Sequence, residues 1–192
     1  MKRSFNPQIL AFLGLLLAVI VAGWYVLSKP SAEAPEGPGP SQSQMSRFEG
    51  TEFSFSFSYP SSYLLEKREI EIGGSMATYL TLMQKGVVLP EAGEGPPGIT
   101  VAVFPNREQK ALADWLQGMT NAAPTPTGGF DFAEMEVDGE EALAYTSTGL
   151  YESDNVAVRH KGNIYVFSAA WLTRDDQTLR DLDAILRSVD FN

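Results

Sequence analysis

Residues 51–63 read TEFSFSFSYPSSY, with an aromatic side chain at every second position: Phe53, Phe55, Phe57 and Tyr59. Ser54, Ser56 and Ser58 fill the gaps and Pro60 ends the run. Strict alternation is the signature of a strand with one covered face, because neighbouring side chains on a strand point to opposite sides. The period predicts a strand over 53–59 whose four rings share a face and pack into a core against a helix. A stacking platform for a ligand is the rival reading, and it lacks any basic residue among the rings. A carrier that used the rings to line a cavity would need a void beneath Phe53, Phe55 and Phe57.

The alternation continues downstream. Lys67–Ile72 (KREIEI) and Met76–Met83 (MATYLTLM) flank Gly73-Gly74, and Ile99–Phe104 (ITVAVF) is a short apolar strand. Phe132–Val137 and Glu141–Thr146 flank Asp138-Gly139, a strong hairpin signal. Asn155–His160 and Ile164–Trp171 flank Lys161-Gly162. Helical spacing appears twice. One helix is predicted after Asn106, its apolar face carrying Ala111, Leu112, Trp115, Leu116 and Met119. Another is predicted from Arg174 to about Ser188, with Leu179, Leu182, Ile185, Leu186 and Val189 as its stripe. Thr173 and Asp176 have capping-box spacing at its start. Hairpin-linked strands with two separated helices point to an α+β fold, an α-β-α sandwich on a mainly antiparallel sheet.

Upstream of this domain lies a different kind of sequence. Ile9–Leu27, ILAFLGLLLAVIVAGWYVL, holds 19 residues without a charge. As a helix it would rise roughly 28 Å, close to the hydrocarbon thickness of a bilayer. Lys2 and Arg3 precede it, and Trp24 and Tyr25 stand near its far end. This predicts one transmembrane helix over 9–27, with residues 1–8 cytoplasmic and the remainder outside the cytoplasm. A cleaved signal peptide is the competing reading. Its apolar core is usually shorter, and the best cleavage site, Ala32-Glu33-Ala34, is followed at once by Pro35. Residues 28–47 are rich in Pro, Gly and Ser and nearly free of apolar bulk, the composition of a disordered tether. The domain is then expected over 48–192.

Composition excludes several chemistries. The chain of 192 residues carries 24 acidic and 14 basic residues, and beyond residue 47 the balance is 22 against ten. So acidic a domain repels nucleic acid, and no nucleic-acid partner is expected. Cysteine is absent and His160 is the single histidine, which removes thiolate chemistry and the usual zinc sets. GEGPPG, residues 93–98, matches a dinucleotide fingerprint only by letter. Two prolines delete the N–H groups a pyrophosphate needs, and a strand follows where a helix should open. GGSMA, residues 73–77, places Ser75 in what reads as a turn between strands, not a nucleophile elbow. His160 falls at a hairpin tip, where a solvated ring is expected. Glu134, Glu136, Asp138, Glu140 and Glu141 alternate as a solvated strand face would, and no cofactor or metal site is assigned. Val87, Val88 and Leu89 are consecutive apolar residues in the long connector 84–98. They either tuck over the core edge or form a protein contact, and they are the candidate partner residues.

Four stretches taken in order resemble the PsbP-like superfamily: FSFSFSYPSSY (53–63), VDGEEALAYTSTG (137–149), VAVRHKGNIYVFSAAW (156–171) and AILRSVDF (184–191). The resemblance spans nearly all of 48–191 and implies the same antiparallel sandwich. Fold and activity separate easily, so no binding residue is carried over. The expectation from the whole chain is a non-enzymatic, membrane-tethered domain outside the cytoplasm that binds or scaffolds envelope proteins. A hydrolase using carboxylates or Ser75, and a carrier of a small apolar ligand, are the alternatives.

Overall fold

The computed structural model describes residues 45–87, 97–119, 124–127, 129 and 131–192. Among them no helix is long and apolar enough to cross a membrane. The segment expected to span the bilayer, residues 9–27, lies outside the described residues, as do 1–8 and most of the tether.

Seven antiparallel strands form the main sheet, in the order β3-β4-β5-β9-β8-β7-β6. They are β3 (Tyr63–Ile72), β4 (Ser75–Gln84), β5 (Ile99–Pro105), β6 (Ala133–Val137), β7 (Glu140–Thr148), β8 (Glu152–His160) and β9 (Asn163–Trp171). Three tight turns set their register. The residue pairs Gly73-Gly74, Asp138-Gly139 and Lys161-Gly162 all take positive φ, the geometry whose twist matches paired strands. A smaller sheet has the order β1-β2-β10, from Met45–Gly50, Phe55–Pro60 and Asp190–Phe191. Two helices complete the fold, α1 (Leu112–Gly118) and α2 (Gln177–Leu186).

Period-two burial splits the interior into two halves. Val101 and Val103 of β5, Tyr165 and Phe167 of β9 and Val156 and Val158 of β8 face one side, where α2 adds Leu182 and Ile185 and β2 adds Phe55 and Phe57. Ala102, Phe104, Ile164, Val166 and Ala157 face the other side, beneath Leu112, Trp115 and Leu116 of α1. The expected α+β sandwich is therefore present. Each fully buried aliphatic side chain contributes about 1.5–3 kcal/mol relative to exposure.

The aromatic comb is the floor of the first half. Phe55 and Phe57 are 1% and 0% exposed. Their neighbours are rings more than helix: Phe48 lies 5.5 and 5.2 Å from them, and Tyr165 of β9 lies 4.9 Å from Phe55. Among the described residues, the hollows at the end of α1, beside α2 and near Gly149 are not lined by Phe53, Phe55 or Phe57. The strand also begins two residues late. Thr51–Phe53 form a 3-10 turn, and Ser54 takes a left-handed φ of 54°, which swings Phe53 out of the alternation. Ser56 does not face solvent as a spacer would; it is buried and accepts a 2.6 Å bond from Arg47 Nη2. β1 likewise begins at Met45, inside the stretch expected to be tether, because residues 45–50 pair with the full length of β2.

Both helices start later than their spacing predicts. Asn106 does not cap α1. Its Oδ1 accepts the Lys110 amide at 3.0 Å and its Nδ2 donates to the Lys110 carbonyl at 2.9 Å, closing a separate loop. Gln109 in that loop has a φ of 55°, which a right-handed helix does not admit. At α2, Asp176 Oδ2 accepts the amides of Leu172 and Thr173 at 2.5 and 3.2 Å. That is the returning half of a capping box, and it holds a turn ahead of the helix. Inside α2, the buried Asp181 accepts Tyr63 Oη at 2.7 Å and Gln177 Nε2 at 2.8 Å. Burial, then the adjacent carboxylate, push the Tyr63 phenol well above its ordinary value.

Phe57→Ala should lower stability by about 3–5 kcal/mol, read from urea denaturation of the full chain. Backbone amides of Leu172 and Thr173 hold the Asp176 carboxyl below the usual carboxylate range. A lowered carboxylate favours the fold above its unfolded pKa of about 3.9 and loses that effect as pH falls through its folded value. Amide-exchange protection at the start of α2 should therefore weaken on acidification below about pH 4 in the wild type. In Asp176→Asn that step should be absent.

Candidate functional site

The β3–β4 turn, the loop after β5 and the end of α1 meet around a cleft of about 470 Å³. Its floor is apolar. Phe104 and Trp115 stand 5.1 Å apart, and Tyr79 meets Phe104 edge-on at 5.9 Å. Ala77, Ile72 and Met119 line the floor beside Phe104 and Trp115. Gly73 and Gly118, both exposed, also line the cleft, and a Cβ added at either would meet no atom within 4 Å.

The rim is polar: Ser75, Asn106, Arg107, Glu108 and Lys110. Lys110 Nζ pairs with Glu108 Oε2 at 2.9 Å, and this bond holds the exposed Glu108 carboxyl below the ordinary carboxylate value. Asn106 N donates to the Gly162 carbonyl at 2.8 Å, which anchors the rim loop to the β8–β9 turn. Sequence spacing missed this cleft. Its residues come from three separated segments, and only the small Ala77 and Gly118 hint that space was left.

Ser75 and His160 do not meet. Ser75 shares a strand face with Ala77 on the α1 side. His160 follows Val156 and Val158 at even spacing on the α2 side. The expectation of a solvated tip histidine is corrected: the ring is only 8% exposed. Its Nδ1 hydrogen-bonds Glu140 Oε1 at 2.8 Å, and its face stacks on Phe191 at 4.8 Å. Buried Nε2 has no partner among the described residues. The C-terminal strand explains this burial. Phe191 N donates to Asp138 Oδ2 at 2.7 Å, Asn192 N donates to the Ser54 carbonyl at 3.0 Å, and Lys161 Nζ binds the Asn192 carbonyl. A two-residue strand arriving from 30 positions away cannot be read from the hairpin itself.

The acidic run is distributed over separate tasks. Glu141 pairs with Arg159 at 3.4 Å, Glu140 binds His160, and Asp138 accepts Phe191. Among the described residues no group of three His, Cys, Asp or Glu could hold a metal ion. Of the GEGPPG stretch, Pro97 and Gly98 are described, and β5 follows them directly. Val87 is 41% exposed, whereas Val88 and Leu89 lie outside the described residues. A second, wider-mouthed hollow of about 520 Å³ lies between α2 and β6–β8, with Asp131, Asp154 and Asp183 on its lining.

No protein-family model matches the chain, and no curated protein does. Solved structures do. The solution structure of cyanobacterial PsbP (CyanoP) from Synechocystis is similar over 80% of this chain and 96% of that one, at 14% identity and a TM-score of 0.53. A crystal structure from Bacteroides thetaiotaomicron is similar over 78% of this chain at 9% identity and a TM-score of 0.46, and the match spans 49% of that longer chain. The fold of this chain is PsbP-like.

His160→Ala should loosen the C-terminal strand. It removes a ring pair worth about 0.5–1.5 kcal/mol. The measurement is hydrogen exchange at the Phe191 and Asn192 amides, which should rise while exchange in the centre of β9 stays unchanged.

Proposed function

We propose that this chain is a non-catalytic, extrinsic domain held at a membrane by residues 9–27 and displayed outside the cytoplasm, where it binds or scaffolds other envelope proteins. One observation supports a binding role over turnover. The side chains most suited to nucleophilic and acid–base work, Ser75 and His160, stand on opposite faces of the sheet. A serine nucleophile needs a base within hydrogen-bond reach, and His160 is already committed to Glu140 and Phe191. Similarity in fold to cyanobacterial PsbP adds weight to a non-catalytic role only by analogy.

The placement rests on sequence: an uncharged 19-residue run preceded by Lys2 and Arg3. The partner contact is assigned to the loop beginning at Val87, exposed beyond the end of β4, together with Val88 and Leu89. Apolar side chains on a connector are a common form of contact surface.

Cross-linking in intact cells, followed by identification of the captured proteins, tests the reading. The chain should capture defined envelope proteins, and combined Val87→Ser, Val88→Ser and Leu89→Ser should cut their yield several-fold without changing the melting temperature. Protease added to spheroplasts should cleave beyond residue 27. Protection of the whole domain, or ester hydrolysis by the purified chain that Ser75→Ala abolishes, would overturn the proposal.

A further inference from the structure

We propose that the cleft beneath α1 is a binding site for a small amphiphilic anion: a flat apolar body carrying a single carboxylate or sulfonate. Size is the first argument. About 470 Å³ falls within the range of roughly 300–1,000 Å³ typical of small-molecule sites. Gly118 lies on the lining, and a Cβ added there would meet no atom within 4 Å.

Charge is the second argument. Arg47, Arg68, Arg159, Arg174 and Arg187 each lie against a carboxylate. Arg107, on the rim of the cleft, has no acidic partner among the described residues. Arg180 also has no ion pair, but its guanidinium is taken up by Gln177 Oε1 and the Asp175 carbonyl, whereas Arg107 has no partner of either kind among the described residues. The neighbouring Lys110 is neutralised by Glu108 at 2.9 Å. The rim thus presents one net positive charge, which matches a monoanion and not a phosphate-rich ligand. Guanidinium binds carboxylate or sulfonate through paired N–H donors. The hollow beside α2 has the opposite character, with three aspartates on its lining.

Rigidity is the third. The loop that presents Arg107 is closed by both ends of the buried Asn106 side chain and anchored to Gly162. It keeps Gln109 at a left-handed φ of 55°. Such a conformation is strained for a residue other than glycine and persists where surrounding bonds over-determine it. A rim held in place binds without paying for its own ordering. The Ser75 hydroxyl lines the same cleft beside the Phe104 and Trp115 rings. It supplies a hydrogen bond at the lip, and the rings supply a flat polarisable wall. This site is independent of the contact assigned to residues 87–89, so either proposal can fail alone.

The probe is 2-naphthoate, with neutral 2-naphthalenemethanol as its uncharged counterpart. The observable is the indole N–H resonance of Trp115 in the nitrogen-15-labelled full chain in neutral-detergent micelles, assigned with Trp115→Phe. Naphthoate should shift this resonance saturably, with a Kd on the order of 0.1–1 mM for a ligand of this size, and should leave Trp171 unmoved. Arg107→Glu, on an exposed loop, should weaken naphthoate about tenfold or more and leave the weak neutral compound unaffected. Gly118→Leu should abolish both shifts by filling the hollow, and it exchanges a poor helix former for a good one, so the fold should persist. Thermal melting checks each variant. A Trp115 resonance that never moves would overturn the proposal, as would equal naphthoate affinity in wild type and both variants.

Discussion

The ring cluster around Phe55 holds the molecule together. Phe48 from β1, Phe57 from β2, Tyr165 from β9 and Phe191 from β10 all lie within 6.3 Å of it, centroid to centroid. With a third strand of only two residues the small sheet is little more than a pair of strands, and such a pair is marginal on its own. Here it becomes stable because its inner face is also the lid of the seven-stranded sheet. The same cluster brings both ends of the domain together: β1 and β10 flank β2 in one sheet. Ser188 adds polar stitching, accepting the Ser58 amide at 2.8 Å and donating to the Ser58 carbonyl at 3.1 Å.

Filling one face with rings has a consequence for the other. The α2 side is built from large side chains and closes around them. The α1 side is built over alanines, Ala77, Ala102 and Ala157, and is covered by a helix of seven residues. So short a helix leaves part of its face of the sheet uncovered among the described residues, and Ile70 and Leu64 of β3 are 44% and 56% exposed. The cleft lies at the edge of this thin cover. Its existence follows from the division of bulk between the two faces.

Much of the fold was legible residue by residue. The strands at 99–104 and 164–171 appear close to where their periods put them, and the three turns with positive φ fall on the Gly-Gly, Asp-Gly and Lys-Gly pairs. The stripe on α2 also buries as its spacing requires: Leu182, Ile185 and Val189 are enclosed, with Leu179 and Leu186 at the edge. Errors gathered at element ends. Asn106 and Asp176 have the composition of helix caps, and both hydrogen-bond locally. Which neighbouring amide each side chain takes depends on where the loop is anchored, and for Asn106 that anchor is Gly162, 56 positions later.

Local pattern by itself determined the kind of elements, the pairing of neighbouring strands and the side of each strand that is buried, because these depend on periods of two and 3.6 and on turn residues adjacent in the chain. Tertiary structure alone decided what lies opposite each face. It put Phe191 over His160, Tyr165 against Phe55 and Arg107 at the mouth of a hollow floored by Trp115. Of these encounters, the two ring pairs join residues 31 and 110 positions apart, and the hollow gathers three separated segments. They are settled by the shared packing of two sheets and two helices, which no window of neighbouring residues contains.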